Sequence, residues 1–216
     1  MGLRCDMLPH MKLIITEDAR HLQINEFYAD NPEDLRNIWQ SLREKYSGYE
    51  IDFCYHNCDV PVDFMNEIGA KVLESCIETR LFPDKFASGG GLEVVTVTES
   101  NFDMFASLHD KVSQGMFWTS ERLKKTDLSR WLIYVHDESY VLMFLGNEVA
   151  EIYGLESNDR RIKELLLSKA AEYAFLANKA NVLYMIDDDA PSELELAQSL
   201  GFVVCGKYVA YQTTIR

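Results

Sequence analysis

The side chains best suited to chemistry stand in the last third of the chain. In Val149-Ala150-Glu151-Ile152-Tyr153-Gly154-Leu155 a single carboxylate is set among apolar and aromatic neighbours. Read as a strand, the stretch alternates, and Glu151 shares a face with Val149, Tyr153 and Leu155. Such surroundings disfavour the charged carboxylate, which suits a general base working near neutrality. The competing reading turns Glu151 to solvent or to a partner on a neighbouring strand. Arg160 and Arg161 open the helical stretch that follows. Cations at a helix N-terminus oppose the dipole and so ask for an anionic partner, of which a phosphate group is one. The alternative is an ordinary solvated helix start.

Three further groups of residues invite a reading. Asp187-Asp188-Asp189 ends the next strand, where Asp188 can orient an amine or a cation, or the run can simply cap the helix opened by Pro191. Trp118, between two helical stretches, either walls a substrate or joins the core. Cys54-Tyr55-His56-Asn57-Cys58 holds three possible metal ligands, but no second pair with zinc spacing exists, so no metal site is expected.

Periodicity supplies the elements that must position these groups. Residues 1–10 read as a loose extension. A hairpin (12–16 and 22–28), a helix (32–46), a strand (50–55), a short helix (62–68) and a strand (71–81) follow. Asn31 is placed to cap the first helix and Pro32 to open it. At Pro83-Asp84-Lys85-Phe86-Ala87-Ser88-Gly89-Gly90-Gly91 the pattern breaks. A glycine run can cradle phosphate if a helix follows, but the β-branched residues 92–98 come next, so this stretch reads as a linker. The expected division is therefore 1–83, a linker at 84–91, and 92–216. Beyond it come a strand (92–98), helices (101–112 and 120–125), strands (131–136, 140–145 and 149–155), a long helix (160–180), a strand (182–186), a helix (191–200) and a last strand (203–213).

Composition narrows the partners. Lys and Arg number 21 against 35 Asp and Glu, a net charge of −14 that repels nucleic acid and anionic membrane surfaces. A few local cations can still hold a phosphorylated cofactor. Five cysteines without a regular framework fit reduced thiols and a cytoplasmic location. No signal-peptide core and no membrane-spanning stretch is read.

The last six elements repeat the order of the first six. Asn31 answers to Asn158, Asp59 and Pro61 to Asp189 and Pro191, and Ile68-Gly69 to Leu200-Gly201. Residues 92–215, with the closing phrase Pro191-Ser192-Glu193-Leu194-Glu195-Leu196-Ala197-Gln198-Ser199-Leu200-Gly201-Phe202, resemble the GNAT acetyltransferases. The resemblance implies an α/β fold with a mixed sheet, one complete copy preceded by a partial copy. It implies acetyl-CoA as cosubstrate, seated where strands 149–155 and 182–186 part, on the backbone of Tyr153, Gly154 and Leu155, with Arg160 and Arg161 toward the diphosphate. Glu151 is then the base, Trp118 and Asp188 face a small-molecule or peptide amine, and the product is an N-acetylated amine. Two positions depart from the family pattern. The diphosphate loop Leu155-Glu156-Ser157-Asn158-Asp159-Arg160-Arg161 has no glycine, and Ala197 stands where the family often has a tyrosine acid. A non-catalytic binding module on the same scaffold is the alternative.

Overall fold

The first long helix starts where the chain's chemistry dictates. The Asn31 side chain accepts a hydrogen bond from the Asp34 amide at 3.0 Å, and Pro32 occupies a position whose N–H would lack a helical partner. The computed structural model describes residues 3–8, 11–16, 20–25, 27, 29, 31–87, 90–113 and 118–216, and only the backbone of 3–8, 11 and 12. Gly115, Met116 and Phe117, which precede Trp118 in the chain, fall outside the described residues, as does Tyr28 at the end of the first hairpin.

The chain divides into two compact units, Met1–Ile77 with Gly206–Arg216, and Glu78–Cys205. In the first, β1 (Leu3–Leu8), β2 (Met11–Thr16), β3 (His21–Asn25), α1 (Pro32–Lys45), β4 (Glu50–His56), α2 (Val62–Glu67) and β5 (Lys71–Leu81) follow in order. The loose extension is corrected here: β1 pairs antiparallel with β2 along its whole length. The strand order is β1-β2-β3-β4, then β11 (Val203–Thr214). β3 and β4 are parallel, while Tyr208–Thr214 of β11 pair antiparallel with His56–Glu50. The core packs Leu35 and Leu42 of α1 and Phe64 and Met65 of α2 over Ile51, Phe53 and Tyr55.

The second unit runs β6 (Val95–Thr96), α3 (Phe102–Val112), α4 (Ser120–Lys124), β7 (Trp131–His136), β8 (Ser139–Leu145), β9 (Val149–Glu156), α5 (Arg160–Leu176), β10 (Asn181–Asp187) and α6 (Pro191–Ser199). Its sheet order is β10-β9-β8-β7-β6, antiparallel except for β10 with β9. Two cores sandwich the sheet. Leu166, Leu167, Ala170, Ala171 and Ala174 of α5 cover one face with Leu196 and Ala197 of α6, and Phe102, Phe105 and Leu123 cover the other. A buried leucine side chain contributes about 2 kcal/mol, so the α5 stripe alone anchors that helix.

Several boundaries differ from the sequence reading. Strand 92–98 shrinks to Val95–Thr96, while Leu92 and Val94 pack against one core and Val97 is buried in the other. Within the 84–91 segment, Phe86 packs against Phe175 of α5, the rings tilted and their centres 5.4 Å apart. The long helix stops at Leu176 rather than near 180, because Asn178 takes a left-handed φ of 58°. The N-cap position of α6 is Ala190, whose side chain cannot cap, rather than a residue of the Asp187–Asp189 run. Glu78–Leu81 of β5 count with the second unit, where the Thr79 hydroxyl donates to the Tyr184 carbonyl at 2.7 Å.

Candidate functional site

A register shift bends β9 away from β10. Leu142 of β8 opposes Gly154 and Met143 opposes Ile152, which leaves Tyr153 as the extra residue of a β-bulge. β9 and β10 are paired only over Val149–Ile152 and Asn181–Tyr184. Beyond that point both strands continue, to Glu156 and Asp187, without pairing to each other. The result is a fork whose β9 arm turns main-chain N–H and C=O groups toward the gap, where they need partners. β8 closes the other side of β9 as far as Glu156.

The bulge also changes which side chains share a face. Leu155 joins Ala150 and Ile152 in the core beneath α5, opposite the face of Glu151 and Tyr153. The shared face read for Leu155 and Glu151 is therefore corrected, for a two-residue period fails across an inserted residue. Glu151 and Tyr153 stay together, with the Tyr153 hydroxyl donating to Glu151 Oε2 at 2.9 Å. The Tyr153 ring lies 6.0 Å from Trp118 and 5.5 Å from Trp131, and the two indoles meet edge-on at 4.9 Å. Trp118 is thus half-buried in an aromatic wall that adjoins Glu151.

Beneath this wall, His109 ties α3 to the sheet. Its Nε2 donates to the Trp118 carbonyl at 2.6 Å, which leaves Nδ1 to accept the Tyr140 hydroxyl at 2.8 Å. Gly154 sits against the same tyrosine: a Cβ there would come 3.2 Å from Tyr140 Cε2. Burial pushes the Tyr140 phenol well above its ordinary value, so it remains a hydrogen-bond donor at any physiological pH.

The other end of the fork is occupied by carboxylates. Asp159 caps α5, one residue later than the Asn158 that the repeat suggests, and its Oδ1 accepts from the Arg161 and Ile162 amides at 2.7 and 3.3 Å. Arg160 and Arg161 both reach Glu164, at 3.5 and 3.1 Å. Lys163 Nζ donates to Glu193 Oε2 of α6 at 2.7 Å, and Glu193 Oε1 accepts the hydroxyl of Tyr184, the last residue of β10 still paired with β9. Asp188 occupies the exposed turn between β10 and α6, at the same end of the parallel pair. Sequence reasoning passed over Tyr184, Lys163 and Glu193, since contacts spanning a strand and two helices leave no local pattern.

Glu156, the last residue of β9, was also passed over. Burial raises its carboxyl above the usual range; Lys163 opposes the shift and Glu193 adds to it. The native state therefore holds this proton more tightly than the unfolded chain, so the group costs nothing below its unfolded pKa and an increasing amount as pH rises through the folded one. Glu156→Gln is expected to raise the melting temperature at pH 8 by about 2 °C, small because the side chain is half-exposed and screened. The gain should vanish near pH 4. Thermal melts of both proteins across that range check the sign.

This mixed α/β fold, with its one parallel pair across the crossover helix α5, matches that of solved structures described as GCN5-related N-acetyltransferases, abbreviated GNAT. No family model and no curated protein matches the sequence. Among solved structures, a GCN5-related N-acetyltransferase from Sphaerobacter thermophilus is 14% identical, covers 98% of this chain and 82% of its own, and gives a TM-score of 0.65. A tandem GNAT protein from the clavulanic acid biosynthesis pathway is 14% identical over 95% of this chain and 78% of its own, with a TM-score of 0.67. A functionally unknown conserved protein from Staphylococcus epidermidis ATCC 12228 gives 0.69 at 11% identity, over 98% and 94%. The likeness is one of fold.

Proposed function

We propose that this chain is an N-acetyltransferase that takes acetyl-CoA into the fork between β9 and β10 and transfers the acetyl group to a small-molecule or peptide amine. The observation that carries the reading is the loss of pairing after Ile152 and Tyr184. A pantetheine arm carries amides that can bond the backbone of Tyr153, Gly154 and Leu155, and a β9 amide beside the bulge can hold the oxyanion of the tetrahedral intermediate. Glu151, at the aromatic wall of Trp118, Trp131 and Tyr153, takes the proton of the attacking amine. The C–N bond forms, the C–S bond breaks, and the departing thiolate takes its proton from solvent, since Ala197 is fully buried and has none to give. Asp188, in its exposed turn, orients a cationic acceptor, and Arg160 and Arg161 exchange Glu164 for the diphosphate.

The tandem architecture belongs to the same proposal. β2-β3-α1-β4-α2-β5 and β8-β9-α5-β10-α6-β11 are one order of elements used twice, each with a parallel pair across its long helix. We read the first as a GNAT copy lacking its opening elements, in a cytoplasmic protein.

Calorimetry should give acetyl-CoA binding below millimolar Kd, and a thiol-release assay over an amine panel should give turnover that Glu151→Gln lowers by about 100-fold without changing that Kd. No heat at millimolar acetyl-CoA ends the proposal. Binding without turnover selects a second reading, a ligand-binding module without catalysis. Its specific support is the α5 N-terminus, where the Asp159 carboxylate already holds two of the amides a diphosphate would use.

A further inference from the structure

The first unit holds a cavity of about 770 Å³ that shares no residue with the β9–β10 fork. It opens between α1, the end of α2, and the strands β5 and β11. Its volume lies within the ~300–1,000 Å³ typical of small-molecule sites. Among its lining residues are Trp39, Arg43, Glu67, Lys71, Leu73 and Arg216.

Charge sets this cavity apart. In a chain of net charge −14, three of those side chains are cationic and one is a carboxylate. That carboxylate is already neutralised: Arg36 grips Glu67 with two parallel bonds, Nε to Oε1 at 2.9 Å and Nη2 to Oε2 at 2.8 Å. Among the described residues no side-chain carboxylate pairs with Arg43, Lys71 or Arg216. Arg43 is held in place by donating from Nε to a main-chain oxygen of Arg216 at 2.9 Å, and both residues line the cavity. Like charges gathered in a concave surface raise the local concentration of anions.

The wall supplies the other half of the recognition. Trp39 packs on Phe53 of the first-unit core, ring centres 6.1 Å apart, and also lines the cavity. Leu73, a large apolar side chain that is 53% exposed, lines the same cavity. Apolar and cationic groups are interleaved on the lining, Arg43 one helical turn from Trp39 on α1 and Lys71 two residues from Leu73 on β5, so a flat apolar body and an acidic group can be met together.

We propose that the cavity is a binding site for a small organic anion with a planar aromatic body, the ring lying against Trp39 and Leu73 and the anionic group held by Lys71, Arg216 and Arg43. A long polyanion is disfavoured by the charge of the rest of the molecule.

The test titrates the full chain with two dyes of one ring system, 8-anilinonaphthalene-1-sulfonate and its uncharged parent N-phenyl-1-naphthylamine, following fluorescence. The sulfonate should saturate at one equivalent. Lys71→Glu and Arg216→Glu, both at exposed positions, should each weaken it by about 10-fold or more, the scale of one charge-assisted bond, while leaving the uncharged dye unaffected. Trp39→Leu should weaken both dyes. Absence of sulfonate binding, or binding that both charge reversals leave unchanged, overturns the proposal. Equal losses of the two dyes in Lys71→Glu overturn it as well, since that pattern means apolar adhesion without anion recognition. Because every dye contact lies in the first unit, these results are independent of acetyl-CoA binding at the fork.

Discussion

Gly201→Ala will lower the melting temperature by about 10 °C, whereas Gly69→Ala will lower it by about 3 °C. Each glycine follows a short helix, α6 or α2, and both take the left-handed region, with φ of 93° and 69°. An L-residue there costs about 1–2 kcal/mol, and that cost is common to both. The surroundings differ. A Cβ on Gly69 would meet nothing within 4 Å, while one on Gly201 would stand 2.6 Å from the Lys85 carbonyl oxygen and 3.4 Å from Leu81 Cδ1. A main-chain oxygen cannot rotate aside as a side chain does, so the segment at Lys85 must move and take Phe86 off Phe175. With that added cost the total for Gly201→Ala is about 3–4 kcal/mol, and in a chain of this size each kcal/mol shifts the midpoint by about 2–4 °C. Differential scanning calorimetry of the two variants separates the effects; equal shifts would mean that backbone conformation alone fixes both glycines.

The same pair shows how the sequence could and could not be read. Leu-Gly-Phe at 200–202 is legible as a motif because a glycine after a helix marks a left-handed turn. The carbonyl crowding it comes from residue 85, which no local pattern announces. Caps behave likewise: Asn31 was placed correctly, since an Asn followed by Pro, Glu and Asp is a local signal, but α5 is capped by Asp159 rather than its neighbour. The association of Glu151 with Tyr153 was visible through strand alternation, up to the bulge. That bulge is a property of β8 and β9 together, and it moves Leu155 to the opposite face. The Tyr184-Glu193-Lys163 chain joins three elements and was invisible. β1 was missed because its structure comes from pairing with β2 rather than from its own periodicity.

A fragment comprising residues 84–216, cut where the sequence pattern breaks, is expected to be poorly soluble and to lack a cooperative melt, whereas residues 78–205 should melt cooperatively. The longer fragment carries a liability and lacks a support. Its Tyr208–Thr214 would lose their partners His56–Glu50, and Ile215, 1% exposed in the intact chain, would lose the first-unit core. An unpaired strand with apolar residues is an aggregation site. It also lacks Leu81, fully buried against the second-unit core, and Thr79, whose hydroxyl bonds Tyr184. Removing a buried leucine costs about 2–5 kcal/mol, a large part of the ~5–15 kcal/mol that holds a domain together. The shorter fragment keeps Leu81 and Thr79 and discards the orphaned strand. Circular dichroism melts and light scattering on the pair decide where the folding boundary lies. A cooperative 84–216 that melts above 78–205 would place it at the glycine run, and would mean that the second unit does not depend on residues 206–216 having their first-unit partners.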